Sequence, residues 1–126
     1  MKTKLKGIQL TGKWVGSHFR KDFDMEYQLV IKQKANRISG DLRITKRHQG
    51  KVESSEVLNF DINGIVWEGF LAFTAKSTNP KRLAIGSDLY QIKEGGEKLQ
   101  GIHVYRSLRR DRVKQIRLLF SRAKQK

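Results

Sequence analysis

The side chains with chemical reach in this sequence favour binding over bond-making. Its three histidines, His18, His48 and His103, fall at no metal-ligand spacing. There is no cysteine, hence no disulfide, no thiol nucleophile and no thiolate zinc site. A phosphate-cradling glycine loop, Gly-x-Ser-x-Gly, His-Glu-x-x-His and an EF-hand loop are all missing. Asp22 and Asp24 stand close together but in a segment that reads as a solvated loop. The chain is therefore expected to be no enzyme and to need no cofactor or metal. What remains are cations and rings. Lys and Arg number 27 against 12 Asp and Glu, for a net charge of +15. Such a field draws phosphate-bearing partners and also serves plain solubility. Guanidinium groups hold phosphate bidentately, and Tyr, Trp and His faces can stack on a planar base.

These groups are carried by strands. Met25, Tyr27, Leu29 and Ile31 alternate with Glu26, Gln28 and Lys32, and Ile38, Gly40, Leu42 and Ile44 alternate with polar neighbours. Period-2 alternation of this length marks half-buried strands. Leu58, Phe60 and Ile62 continue it up to Asn63-Gly64, a dipeptide that predicts a tight hairpin there. Ile65 to Thr74 is apolar on both faces, so its register stays open. Leu83 to Ile92, Leu99 to Ser107 and Val113 to Arg122 complete about eight strands, with a turn at Gly95-Gly96. Ser107 to Lys126, rich in Arg and Lys, could also form a basic helix; alternating Ile116, Leu118 and Phe120 favour a strand. The prediction is an all-β fold, a closed or nearly closed up-and-down antiparallel barrel, since closure removes sheet edges. One proline, Pro80, and no low-complexity linker point to a single domain over 1–126, with a basic extension at 1–8 and a basic tail at 123–126. No stretch approaches the roughly 18 apolar residues of a membrane span.

Gly12-Lys13-Trp14 on the first strand and Arg122 on the last resemble the lipocalin-type (calycin) signature. In that family the Trp closes the barrel bottom and the Arg packs across its indole, a cation–π contact that seals the core. The resemblance implies that Trp14 and Arg122 mark a closed end. Up-and-down winding then sends Phe19 to Asp24, Thr45 to Glu56, Lys76 to Arg82 and Arg106 to Arg112 to the opposite, open end as longer loops. The predicted short turns at the closed end are Lys34 to Arg37, Asn63-Gly64 and Lys93 to Lys98. The long loops carry an excess of cations, which would make a positive mouth.

On this arrangement the inward face includes His18, Tyr27, Ser87, His103, Tyr105 and Lys114. The expected ligand-binding residues are His18, Tyr27, Arg47, Arg82, His103, Tyr105, Arg106, Arg109 and Lys114, with Trp14 and Arg122 closing the barrel. A small phosphorylated ligand is the expected partner. Basic barrels of this length resemble the soluble barrel of two-transmembrane β-barrel effectors in bacterial antiphage signalling. There a membrane hairpin precedes a lipocalin-like barrel that binds a cyclic nucleotide and drives oligomerisation. The resemblance implies a cyclic-nucleotide sensor and a ligand-driven homo-oligomer. It also implies a cytoplasmic location, at the inner membrane face if a transmembrane segment was removed. The basic Lys2, Lys4 and Lys6 would suit the cytoplasmic flank of such a hairpin, which these 126 residues do not contain. Other readings are RNA or single-stranded DNA binding through the basic surface and tail, carriage of a fatty ligand inside the barrel, and a partner role towards an acidic protein.

Overall fold

The computed structural model describes residues 8–19, 23–48, 51–79, 84–107 and 112–123. For 17–19, 23–24, 47–48, 51–55 and 107 it describes the backbone alone. Eight antiparallel strands follow one another around a closed barrel: β1 (Gly12–Phe19), β2 (Phe23–Lys34), β3 (Arg37–His48), β4 (Lys51–Trp67), β5 (Phe70–Ser77), β6 (Ile85–Lys93), β7 (Lys98–Ser107) and β8 (Arg112–Arg122). A single 3₁₀ turn, Glu94–Gly96, joins β6 to β7. Of the segment that could have been a basic helix, Arg112–Arg122 is a strand. No helix among the described residues is long and apolar enough to cross a membrane.

The alternating residues of β2, β3, β5 and β8 do point inward. Tyr27, Leu29, Ile31, Ile38, Leu42, Ile44, Leu71, Phe73, Ala75, Ile116, Leu118 and Phe120 form one core with Trp14, Tyr90 and Leu99. Burying each large apolar side chain contributes about 1.5–3 kcal/mol, which offsets the entropy of ordering the strands.

The expected hairpin at Asn63-Gly64 does not form. β4 runs straight through both residues to Trp67, and the chain turns at Glu68 and Gly69 between the paired Trp67 and Phe70. Both turn residues have positive φ, 48° and 87°, as a two-residue type I′ turn requires. Gly64 is needed for a different reason. It lies on the inner face opposite Phe73, and a Cβ there would sit 1.9 Å from the Ala72 carbonyl oxygen. The missing side chain lets β5 approach closely as the sheet bends into a small barrel. The open register of Ile65 to Thr74 resolves with Leu71 and Phe73 buried and Ile65, Trp67 and Phe70 exposed.

The loop expected over Thr45 to Glu56 is also absent. β3 and β4 stay paired to His48 and Lys51, with an irregularity between Lys46 and His48. β4 pairs with β3 over this upper part, whereas its pairing with β5 begins only at Phe60. The seam between β1 and β8 is short too: only Trp14↔Arg122, Val15↔Ser121 and Gly16↔Phe120 are in register.

Candidate functional site

Trp14 and Arg122 meet as the signature predicts, at the end where the segment before β1 crosses the barrel. The guanidinium carbon lies 4.5 Å from the Trp14 ring centroid. Arg122 Nε donates to the Gly96 carbonyl oxygen at 2.9 Å, Nη1 to that of Thr11 at 3.2 Å, and Nη2 to that of Gln9. The indole Nε1 donates to the Leu10 carbonyl oxygen at 3.0 Å. Leu10 is fully buried beneath this lid. One guanidinium fork thus ties three chain segments over a filled barrel bottom, which is structural work rather than recognition.

The polar centre of the barrel lies nearer the other end. β6 presents Gly86, Asp88 and Tyr90 inward, while Ser87 and Leu89 face out. Ser87, expected inside, is therefore exposed, and Asp88 takes the inner place. Asp88 is 4% exposed. Its Oδ2 accepts from the Tyr90 hydroxyl at 2.5 Å, and its Oδ1 lies 2.8 Å from His103 Nδ1. A carboxylate can only accept, so Nδ1 carries the proton and the ring is oriented with Nε2 away from Asp88. The Asp88 charge and burial act together on Tyr90: desolvation first, then the neighbouring carboxylate, hold its hydroxyl pKa well above the ordinary tyrosine value. No fully buried side-chain nitrogen or oxygen among the described residues lacks a partner.

Two rings and a glycine frame His103. It stacks on Tyr105, with centroids 5.3 Å apart and planes 12° from parallel. Tyr27 meets it edge-on at 6.3 Å. Gly86 makes the space, since a Cβ there would lie 2.9 Å from His103 Cε1. Tyr105 is half-buried, and directly opposite it in the β7–β8 register stands half-buried Lys114. The interior therefore grades from an apolar floor (Trp14, Leu99, Phe120), through the Tyr90–Asp88–His103 chain, to a ring-and-cation level at Tyr105 and Lys114.

Of the expected site residues, the structure brings together Tyr27, His103, Tyr105 and Lys114. His18 lies on β1 opposite Met25, and Arg47 lies on β3 at the irregularity; the side chains of both are outside the described residues, as are Arg82 and Arg109 entirely. Arg106 is exposed and alternates with Tyr105, which places it on the outer face of β7 opposite Val113. Cations stand at both ends among the described residues, those of the closed end beside Glu68, Glu94 and Glu97. Lys46, Lys76, Arg112 and Lys114 stand near the mouth, and Lys34, Arg37, Lys93 and Lys98 near the closed end. Arg20, Lys21, Lys81 and Arg110, which were expected to enrich the mouth, lie outside the described residues. The residues that sequence reasoning missed are Asp88 and Tyr90. Among the described residues no group of three His, Cys, Asp or Glu could hold a metal ion.

A concavity of about 370 Å³ lies on the outer wall across β1 to β4. Lys13, Gln28, Arg43, Asn59 and Thr78 line it, with Asp41 beside Arg43. No protein family, curated protein or solved structure matches this chain.

Proposed function

We propose that the barrel is a non-catalytic binding module for a small anionic ligand that carries a planar ring, a cyclic nucleotide in antiphage signalling being the reading the lipocalin-like resemblance suggests. The observation that carries it is the stacked His103–Tyr105 pair with Lys114 opposite. A ring face and a cation at one level of a barrel suit a base and its phosphate. Asp88 adds pre-organisation: an imidazole fixed through Nδ1 presents its other nitrogen in one direction, which lowers the ordering cost of binding. A fatty ligand fits less well, because it would have to displace buried Tyr27, Tyr90 and Phe120 from a packed interior.

The outer groove favours a second reading, an extended single-stranded nucleic acid crossing Lys13 and Arg43. Salt separates the two. A strand that neutralises many phosphates loses affinity steeply as salt rises, while a pocketed ligand with one or two loses much less. A thermal-shift screen with cyclic di- and trinucleotides, mononucleotides, a short RNA and a fatty acid at two salt concentrations tests this. Saturating a native-state site at a hundredfold excess over Kd adds about 2.7 kcal/mol of stability. A rise with a cyclic nucleotide that survives salt supports the proposal. A rise only with RNA that vanishes in salt, or only with the fatty acid, overturns it.

A further inference from the structure

The barrel is closed at its bottom and unzipped at its side. β1 and β8 share three register pairs, ending at Gly16↔Phe120, yet β8 continues up to Arg112. The direction of the backbone groups on that stretch follows from two bonds. Arg122 N–H donates to the Glu97 carbonyl oxygen on the β7 side, and Ala123 N–H donates to that of Lys13 on the β1 side. N–H groups alternate along an antiparallel strand. Even-numbered residues of β8 therefore face β7, and Val113, Gln115 and Arg117 turn both N–H and C=O to the seam. No described strand pairs with them there. Their side chains are exposed, Val113 at 73%.

We infer that the open edge of β8 over 112–117 receives an extended acidic peptide segment of a protein partner, paired as an added strand. An unpaired edge of this kind supplies main-chain hydrogen bonds to any extended chain, and flanking side chains choose which. Arg112 and Arg117 are exposed on the edge strand itself. They oppose a second copy of this chain, which would bring the same cations face to face, and a net charge of +15 opposes it further. A segment that carries both acidic and apolar residues on its outward face answers Arg117 and the exposed Val113 together. The inference does not depend on what occupies the barrel mouth.

Amide hydrogen exchange on the whole chain reads it residue by residue. In the free protein the amides of Val113, Gln115 and Arg117 should exchange fast and those of Ile116 and Leu118 slowly. A capped short peptide with Glu and Val in turn at its outward positions should slow the three odd amides by about tenfold or more, and leave the even ones unchanged. The same peptide with N-methylated valines keeps its charge but cannot donate from those positions; it should give little protection. Gln115→Pro removes an edge N–H that no ladder bond uses, and should weaken the Glu–Val peptide without unfolding the barrel. Odd amides already slow in the free protein would overturn the inference. So would slowing that depends on protein concentration without peptide, equal protection by the N-methylated peptide, or no protection at all.

Discussion

Replacing Asp88 by alanine should cost more than replacing Asp88 and Tyr90 together. Asp88 is the acceptor for two buried donors, the Tyr90 hydroxyl at 2.5 Å and His103 Nδ1 at 2.8 Å. Each buried donor left without a partner costs about 1–3 kcal/mol. Asp88→Ala orphans both and should cost roughly 2–6 kcal/mol. Tyr90→Phe alone removes one donor from the carboxylate and should cost about 1–3 kcal/mol. In Asp88→Ala/Tyr90→Phe the hydroxyl is gone, so only His103 is left unsatisfied. The double variant should be more stable than Asp88→Ala by roughly 1–3 kcal/mol. Urea unfolding of the four proteins, with m unchanged, measures this cycle. Two single costs that add to within about 0.5 kcal/mol, leaving the double variant the weakest, would refute the hydrogen-bonded chain through Asp88.

Gly64→Ala should destabilise strongly, because the new Cβ meets the Ala72 backbone, whereas Asn63→Ala should change stability by under about 0.5 kcal/mol; comparable costs in urea unfolding would restore a turn at this dipeptide. Tyr90 holds its proton in the folded barrel after an unfolded tyrosine would release it, so its contribution is intact below pH about 10 and is lost above that at about 1.4 kcal/mol per pH unit. Wild type should therefore lose stability more steeply than Tyr90→Phe above that pH, and parallel curves would contradict it. Arg122→Lys keeps the charge but not the fork over Gly96, Thr11 and Trp14; a loss of roughly 1–3 kcal/mol by calorimetry is expected, and no loss would mean that charge alone matters.

Much of this was legible in the residues. The alternation in β2 and β3 located their inward faces, and Gly12-Lys13-Trp14 with Arg122 located the closed end. The failures have physical causes. Asn63-Gly64 is equally good as a turn and as an inward glycine at a tight bend, and local sequence holds nothing to separate them. Within β6 itself the large residues are tied, Ile85 and Leu89 against Tyr90 and Ile92, and the preceding Leu83 tips the alternation towards Ser87 inward. Only the cross-strand register of Asp88 with His103 reverses this, and an aspartate in the core is recognisable only through the donors that surround it. Thr45 to Glu56 read as a loop because strands rising above a core have polar residues on both faces.

The central claim, a ring-and-phosphate site at His103, Tyr105 and Lys114, is tested most directly by NMR titration of the labelled chain with a cyclic dinucleotide. The imidazole resonances of His103 and the signals of Tyr105 and Lys114 should move together and saturate, while Arg43 and Asn59 in the outer groove stay put. Movement confined to the outer groove, or none with any cyclic nucleotide up to millimolar concentration, would contradict the account.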